Sequence, residues 1–478
     1  MSSTDNEPAP SLYAAHEPIF PRRVTGWFRN LKWIIMIFTL GIYYVTPWIR
    51  WDRGPNLPDQ AVLIDLANRR FFFFWIEIWP HEFYFIAGLL IMAGLGLFLF
   101  TSAMGRVWCG YACPQTVWTD LFILVERWIE GDRNARLRLH NQKKWDLRKA
   151  RLRLTKWTSW MIIGLATGGA WVFYFADAPT LLVDLVTGNA HPIAYTTIAV
   201  LTATTFFFGG IAREQICIYA CPWPRIQAAM MDEDTLVVGY RTWRGEPRKH
   251  SEEVKAGEPQ GDCIDCMACV NVCPVGIDIR DGEQLECITC ALCIDACDDV
   301  MAKIGKPRGL IDYMAISDET NERAGKPIKP VMKHILRPRT IMYTALWSLV
   351  GFGLVFALFI RADIEMSVAP VRNPIFVTLS DGSIRNTYDV RLLNKHGEDR
   401  PFRLSVVGDP ALRIQLEGTP YESVNVPADT SFLQKVYVIA PAGSDPANSE
   451  RTQFRLWAED TSNGERAHKD TIFNGRDN

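Results

Sequence analysis

Two short cysteine runs organise this chain: CIDCMACVNVCP at residues 263–274 and CITCALCIDACD at residues 287–298. Each run has the spacing C-x2-C-x2-C-x3-C, and the first ends in Pro274 whereas the second is followed by Asp298. This spacing is typical of bacterial two-cluster ferredoxins, in which three thiolates hold one cubane and the fourth cysteine reaches the other cluster. We therefore expect two [4Fe-4S] clusters. The predicted ligands are Cys263, Cys266, Cys269 and Cys297 for one cluster, and Cys287, Cys290, Cys293 and Cys273 for the other.

Zinc and disulfides are the alternative uses of eight cysteines. Zinc sites usually combine two C-x2-C pairs across a longer spacer, which the triple runs do not resemble. Disulfides require an oxidising compartment, and the topology derived below places this segment in the cytoplasm. The pattern therefore favours clusters. The neighbouring acids Asp295, Asp298 and Asp299 are expected to disfavour the reduced cluster and lower its potential.

Five apolar stretches predict membrane helices, because each is close to the length that spans a bilayer. They lie at about 33–49, 83–104, 157–176, 193–212 and 341–360. The 105–156 loop carries twelve Lys or Arg residues, whereas the 177–192 loop carries none. The positive-inside rule then places the N-terminus and the cysteine-rich segment in the cytoplasm and the C-terminus outside.

The sequence as a whole predicts a multi-domain membrane protein. Its parts are about five transmembrane α-helices, a cytoplasmic two-cluster ferredoxin-like domain of the α+β class, and a C-terminal Ig-like β-sandwich. The sandwich is predicted because segments beyond residue 362 alternate apolar and polar residues between turn sequences. The predicted boundaries are 1–30 for a cytoplasmic tail, 31–240 for four spans, 241–339 for the ferredoxin-like domain with linkers, 340–361 for the fifth span and 362–478 for the Ig-like domain.

The four remaining cysteines form an internal repeat. GRVWCGYACPQ at 105–115 matches REQICIYACPW at 213–223, and both contain C-x3-C-P at the predicted cytoplasmic end of a span. Cysteines at i and i+4 share a helix face, and the proline starts or kinks a helix. We expect the repeat to bring four thiols together near the membrane boundary. They are Cys109, Cys113, Cys217 and Cys221.

Three uses of these four thiols stay open. Clustered thiols are a soft site that suits Cu(I) better than hard cations. They also can cycle between dithiol and disulfide. The third alternative is that they are buried membrane cysteines, which pack like small apolar residues.

Three polar segments have less specific predictions. The N-terminal tail is expected to end in a basic cluster that includes Arg29 and Lys32. In the aromatic 51–82 segment, which we predict to be interfacial or re-entrant, His81 and Glu82 are more often a helix start after a proline than a polar site. The acids at 232–234 orient the cytoplasmic side or, more plainly, form a solvated patch.

Taken together, these features resemble the cytochrome c oxidase accessory protein family known as CcoG, FixG or RdxA. The resemblance covers almost the whole chain. It is carried by CGYACPQTVW at 109–118, CIYACPWPRIQ at 217–227, DEDTLVVGY at 232–240, RGEPR at 244–248, the eight-cysteine segment and the Ig-like tail. Related polyferredoxin membrane proteins share the C-x3-C-P pairs, so these pairs alone do not select the oxidase role.

The resemblance implies a multi-pass protein of the bacterial inner membrane that serves assembly of the copper-containing cbb3-type cytochrome c oxidase. Members look like cupric reductases, which makes the C-x3-C-P cysteines candidate copper-binding or redox residues. The implied partners are oxidase subunits or copper chaperones and transporters, together with a cytoplasmic electron donor, and a homodimer is left open. The Ig-like domain would face the periplasm.

Two other functions remain as alternatives: a quinol- or quinone-linked polyferredoxin subunit, and a non-enzymatic oxidase assembly scaffold. The formal net charge of −2 gives no indication of nucleic-acid binding. The sequence also lacks a Rossmann or P-loop fingerprint, so nucleotide binding is not expected.

Overall fold

The computed structural model describes residues 18–54, 57–248, 260–361 and 364–476. The chain forms two compact units. The first contains the residues up to 49 and residues 60–354, and the second contains residues 50–59 and 355–478.

The part of the chain before residue 361 is mainly helical. Its α-helices are Trp27–Val45, Tyr84–Met104, Val107–Tyr111, Pro114–Glu130, Arg133–Asn141, Leu147–Val172, Ala178–Thr187, Pro192–Thr205, Arg213–Gln215, Trp223–Met230, Thr242–Gly245, Ala268–Val272, Leu292–Lys303, Ile316–Arg323, Val331–Ile335 and Pro338–Ile360. Short 3-10 turns lie at Thr46–Trp48, Pro80–Glu82 and Ile279–Asp281, and π-helical turns lie at Phe206–Ile211 and Ile216–Ala220.

Within the described residues, four helices are long and apolar enough to cross a membrane. They are Trp27–Trp48, Tyr84–Met104, Pro192–Ile211 and Pro338–Ile360. These four match the first, second, fourth and fifth predicted spans and fit a membrane protein. The third predicted span lies in the second half of Leu147–Val172, whose first half is rich in Lys and Arg. The predicted number of five is therefore not confirmed.

The helix Leu147–Val172 packs closely against Pro192–Thr205. A Cβ atom on Gly164 would lie 3.0 Å from the carbonyl oxygen of Thr202, and one on Gly168 would lie 2.9 Å from that of Ile198. Four residues forward on one helix correspond to four residues back on the other, so the helices are antiparallel. Small residues allow this backbone approach, as they do between membrane helices.

The aromatic segment before the second span is a small antiparallel sheet of Val62–Asp65, Arg70–Phe73 and Ile76–Ile78. Aromatic residues favour strands, and alternation buries Phe72; the prediction of an interfacial or re-entrant segment did not include these strands. The carboxylate of Glu82 accepts a hydrogen bond from the backbone N–H of Trp79 at 3.0 Å. Glu82 thus belongs to a helix start, whereas the side chain of His81 lies outside the described residues.

Part of the basic cluster predicted at the end of the N-terminal tail belongs to the first helix. The first helix already begins at Trp27, and Arg29 and Lys32 are 4% and 2% exposed. Both pair with the buried carboxylate of Asp120, at 3.2 and 3.1 Å. The sequence predicted these two cations at the end of a tail, but they lie inside the helical packing.

The second unit contains two antiparallel sheets. One has the order Arg413–Leu416, Thr430–Ala440, Ile384–Asn394, Ile364–Pro370, with Val377–Thr378 also paired to Ile384–Asn394, and the other has the order Ser423–Val426, Arg400–Val407, Arg451–Asp460, Arg466–Asn474. A short helix, Asp445–Asn448, precedes the strand Arg451–Asp460. The inward faces share one apolar core that includes Tyr388, Phe402 and Leu456. The predicted β-sandwich is therefore present.

Candidate iron–sulfur and thiol site

The two cysteine-rich runs have the same unusual backbone. In each run, the second of the four cysteines, Cys266 or Cys290, is flanked by two non-glycine residues with left-handed backbone. The φ angles are 54° at Asp265, 57° at Met267, 53° at Thr289 and 59° at Ala291. Left-handed backbone costs an L-residue roughly 1–2 kcal/mol. Such strain is characteristic of ligand clamps, where the surroundings enforce it.

The strained loops gather the eight thiols around two apolar cavities. One cavity is lined by Cys263, Cys266, Cys269 and Cys297. The other is lined by Cys273, Cys287, Cys290 and Cys293, together with Cys269. The structure thus brings together each predicted set of four, including the fourth cysteine that crosses to the other run. The strands Val237–Tyr240 and Ile311–Met314 pair antiparallel, and their buried side chains pack in one core with cysteines of both runs.

The thiols are poorly suited to remain as simple thiolates. Burial raises the pKa of Cys273 to about 12 and that of Cys287 to about 11. Burial also raises the pKa of Cys293 well above its ordinary value. Metal ions bind the deprotonated form and displace the proton. Thiols arranged in fours around an apolar cavity therefore fit iron–sulfur clusters.

The acids beside the second run all have partners. The Asp295 carboxylate accepts hydrogen bonds from the backbone N–H groups of Arg29, at 2.8 Å, and Phe28, at 3.3 Å. It therefore caps the first membrane helix. Asp298 accepts from the backbone of Gly309 at 2.9 Å, and Asp299 pairs with a lysine one turn later. Their effect on the cluster potential stays a prediction.

The two C-x3-C-P copies share a backbone as well as a sequence. The second cysteine of each copy leaves the helical region, with φ −60° and ψ 129° at Cys113 and φ −78° and ψ 124° at Cys221. A new helix follows at once, at Pro114 in the first copy and just after Pro222 in the second. Proline suits this position because it needs no hydrogen-bond donor there.

The four C-x3-C-P thiols lie within electrostatic reach of one another. Burial raises the pKa of Cys217 to about 12, and the thiols of Cys113, Cys109 and Cys221 add to this shift. All four are half-buried. Among the residues that the structure describes, no three of these sulfur atoms lie within 4.8 Å of one another. The same holds for the eight described cysteines of the cysteine-rich segment, so this spacing does not distinguish the two groups.

One of the thiols has a buried polar partner that the sequence did not indicate. The Cys109 thiol donates a hydrogen bond to Oε1 of Gln227 at 3.1 Å. Gln227 is fully buried and donates from its own amide to the hydroxyl of Thr101 at 3.3 Å. This amide therefore fixes Cys109 against the end of the second membrane helix.

The cysteine-rich segment rests directly on the first C-x3-C-P turn. A Cβ atom on Gly110 would lie 2.6 Å from the carbonyl oxygen of Ile288 and 3.0 Å from Cα of Cys290. The Tyr111 hydroxyl donates to the carbonyl oxygen of Cys290 at 3.2 Å. The Arg106 guanidinium also donates to a backbone carbonyl of this segment. Only glycine at position 110 permits this approach of the two backbones.

The acidic segment at 232–234 is largely exposed, and two of its three acids also pair with cations of the neighbouring chain. Asp232 pairs with Arg337 and, at 2.9 Å, with Arg339, at the start of the last membrane helix. Asp234 pairs with Lys329 at 2.9 Å. Burial alone would raise the pKa of Asp232, but hydrogen bonds from Arg337, Thr235 and Arg339 outweigh it and lower the pKa to about 2.

Three family models match the chain. A 4Fe-4S dicluster domain matches residues 212–316, which contain the eight-cysteine segment and the second C-x3-C-P copy. A 4Fe-4S binding domain matches residues 85–132, which contain the first copy. The model described as "IG-like fold at C-terminal of FixG" matches residues 354–476.

Similar proteins align along nearly their whole length. Protein RdxB of Cereibacter sphaeroides is 70% identical over 100% of both chains. Protein RdxA of the same organism is 64% identical over 94% of this chain and 95% of its own. Nitrogen fixation protein FixG of Rhizobium meliloti is 54% identical over 97% and 94%. The chain therefore belongs to the FixG/RdxA/CcoG family, as an iron–sulfur electron-transfer protein of the FixG and RdxA type.

Proposed function

We propose that the protein is a membrane-bound cupric reductase that makes Cu(I) available for assembly of cbb3-type cytochrome c oxidase. Copper would be reduced at Cys109, Cys113, Cys217 and Cys221. The observation that carries the proposal is the contact between Gly110 and Cys290. It joins the predicted cluster ligands to the C-x3-C-P thiols without an intervening layer of protein.

The chemistry requires one electron, since Cu(II) gains one to become Cu(I). The cysteine-rich segment, when it holds its [4Fe-4S] clusters, supplies electrons singly. Thiolates bind the soft product better than the harder reactant, which favours the reduction. The four C-x3-C-P thiols are half-buried, so the ion would be held at a partly exposed site. An open site of this kind allows the product to leave.

The two thiol sets of the cysteine-rich segment differ in access. Cys266 of the first set is exposed, and the neighbouring Met267 is 39% exposed. The second set is covered by Gly110 and Tyr111. We therefore assign the first set to a cytoplasmic electron donor and the second set to delivery toward the membrane thiols.

The proposed topology has five spans in a bacterial inner membrane. The helix Leu147–Val172 is proposed as the additional span, because its Gly164 and Gly168 pack against the backbone of a candidate span in antiparallel orientation. If the N-terminus is cytoplasmic, as the positive-inside rule predicts, four spans return the chain to the cytoplasm before the cysteine-rich segment. The fifth span then places the β-sandwich in the periplasm. There the sandwich would contact oxidase subunits or copper-handling proteins.

The test is a double substitution in the second copy, Cys217→Ser with Cys221→Ser. The purified protein should keep the iron content and EPR signals of its clusters but lose Cu(II) reduction, followed with a Cu(I)-specific chromogenic chelator. The matched control is Ala220→Ser, which adds a hydroxyl group in the same exposed turn and removes no thiol. Undiminished copper reduction in the double variant would contradict the assignment.

A second candidate is a third iron–sulfur centre held by the same four thiols. The match of a 4Fe-4S binding domain to residues 85–132 favours it. The same double variant separates the two candidates. Loss of about a third of the iron would favour the third centre, whereas unchanged iron with lost copper reduction would favour the cupric site.

A further inference from the structure

One end of the β-sandwich gathers three metal-binding side chains from two loops. His396 lies in the loop between Ile384–Asn394 and Arg400–Val407, and Asp460 and Glu465 bracket the turn before Arg466–Asn474. One ligand atom from each of the three side chains lies within 4.8 Å of the others. Nε2 of His396 is 3.3 Å from Oε2 of Glu465.

Asp460 is the buried member of this group, and one of its oxygen atoms lacks a hydrogen bond. Its side chain is 0% exposed. Oδ1 accepts a hydrogen bond from the backbone N–H of Ser462 at 2.7 Å. Oδ2 accepts none from any residue that the structure describes, and Arg400 approaches it only to 3.6 Å. A buried acceptor without a hydrogen bond is unfavourable, and a bound cation would satisfy it.

The backbone on both sides of the group is fixed by hydrogen bonds. The N–H of His396 donates to Oδ1 of Asn394 at 3.0 Å, and its carbonyl accepts from the N–H of Asp429 at 3.0 Å. The N–H of Asp460 donates to the carbonyl of Glu465 at 2.9 Å. The three side chains therefore project from anchored positions, and the Ser462 contact orients the Asp460 carboxylate, as second-shell contacts do in metal sites.

We propose that His396, Asp460 and Glu465 bind a divalent first-row transition-metal ion of the Cu²⁺ and Zn²⁺ class. One imidazole and two carboxylates are a ligand set for these ions, with bonds of about 2.0–2.2 Å. Ligands at such distances in a tetrahedron are about 3.3–3.5 Å apart, which matches the 3.3 Å between His396 and Glu465.

The ligand types also argue against Cu(I), the softer copper ion. No cysteine occurs in the last 181 residues, so thiolates cannot contribute, and Cu(I) would lack its preferred ligands. Among divalent ions, Cu²⁺ binds nitrogen and oxygen ligands more tightly than Zn²⁺. A cleft of about 340 Å³ borders His396. The site is independent of the proposed copper reduction, since it uses other residues in the other unit.

The test counts redox-inert Zn²⁺ on the full-length protein in detergent, with its clusters intact. Equilibrium dialysis followed by metal analysis should show one equivalent fewer for His396→Gln and for Glu465→Gln than for the unaltered chain, or an affinity lowered by at least about tenfold. The matched control is His468→Gln, which removes an exposed histidine of the same sandwich and should leave the count unchanged. Equal zinc counts in all four proteins would overturn the proposal.

Spectroscopy provides a second readout that a structural role would not change. After accessible thiols are alkylated with iodoacetamide, one equivalent of Cu²⁺ should give the electron spin echo modulation of a single coordinated imidazole. The modulation should persist in His468→Gln and disappear in His396→Gln. A modulation that survives His396→Gln would place the Cu²⁺ elsewhere and overturn the assignment. Thermal melts of both variants establish that each is folded.

Discussion

The two cysteine groups of the first unit differ in how the backbone holds them. The eight-cysteine segment uses four strained left-handed residues and lines two apolar cavities with its thiols. The four C-x3-C-P thiols are half-buried and stand on backbone without left-handed residues. Strain and burial suit a cofactor that stays, whereas open thiols suit an ion that is exchanged. The predictions below test this difference.

The largest effect is expected for Cys290→Ser, which removes a ligand from the buried second set. The variant should lose about half of its iron, because one of the two clusters goes, and should melt at a lower temperature. Cys113→Ser should keep all of its iron. Iron analysis and EPR of the two proteins make the measurement, and equal iron loss in both would remove the distinction between resident and exchangeable ligands.

The next effect concerns Glu126, which ties the two C-x3-C-P copies together. This buried carboxylate lies on the helix after the first copy and pairs with Arg213, just before the second, at 2.5 Å, and with Arg136 at 2.9 Å. Glu126→Gln leaves these cations without their counter-charge and should lower the free energy of unfolding by about 3–5 kcal/mol.

Glu126→Gln also sharpens the comparison between the two groups. It should abolish copper reduction, because it separates the two C-x3-C-P copies and their four thiols. The iron bound by the eight cysteines of the cysteine-rich segment should stay. The control is Asp299→Asn, which breaks an exposed pair with Lys303 and should cost no more than about 0.5 kcal/mol. Chemical unfolding measures the loss of stability in both variants, and iron analysis measures their cluster content. Iron loss in Glu126→Gln would show that the two cysteine groups are not independent.

A smaller cost is expected for Gly110→Val, which places a side chain between the two groups. The new Cβ would lie 2.6 Å from a carbonyl oxygen of the cysteine-rich segment, and overpacking of this kind typically costs about 1–3 kcal/mol. The clusters should keep their EPR signals, but their re-oxidation by Cu(II), followed by stopped flow, should slow several-fold.

The control for that substitution is Gly94→Val on the second membrane helix. A Cβ at Gly94 meets no atom within 4 Å in the described part of the chain, so the re-oxidation rate should not change. An unaltered rate in Gly110→Val would mean that electrons take a route other than this contact.

The smallest effect is expected for Asp232→Asn, which loosens the start of the last membrane helix. Hydrogen bonds from Arg337, Thr235 and Arg339, opposed by burial, lower the pKa of Asp232 to about 2 from its ordinary 3.8. The stabilisation is therefore present above about pH 4 and is lost as the pH falls through 2. Because the side chain is 36% exposed, the change at neutral pH should be on the order of 1 kcal/mol or less.

Thermal melts between pH 2 and 7 test this pH dependence. The difference between Asp232→Asn and the unaltered protein should shrink toward pH 2. Glu233→Gln removes the neighbouring exposed acid and should show no such trend, so a parallel trend in both variants would refute the assignment to Asp232.

The spacing of residues within short segments was enough to predict much of the candidate site. The C-x2-C-x2-C-x3-C runs indicated which thiols share a cavity, since the ligand geometry of a cubane is encoded in a few consecutive residues. Hydropathy located four membrane helices, and period-two alternation located the β-sandwich. The count of five spans could not be established in the same way, because basic residues open the helix Leu147–Val172.

Contacts between distant segments could not be predicted. Nothing near Gly110 indicates that its missing side chain accommodates Cys290, and nothing near Asp120 indicates that it buries two cations from the first helix. His396 and Asp460 are 64 residues apart in the chain, so no spacing links them. Such pairs depend on the tertiary arrangement, which a single sequence does not display.

The cap that Asp295 places on the first helix has a consequence for biogenesis. Asp295 lies between Cys293 and Cys297 on one short helix, so the same turn that carries two predicted cluster ligands also receives the start of a membrane helix. A chain in which this turn had not formed would leave the leading amide groups of that helix without their acceptor. Folding of the cysteine-rich segment and ordering of the first membrane helix are therefore coupled through one carboxylate group.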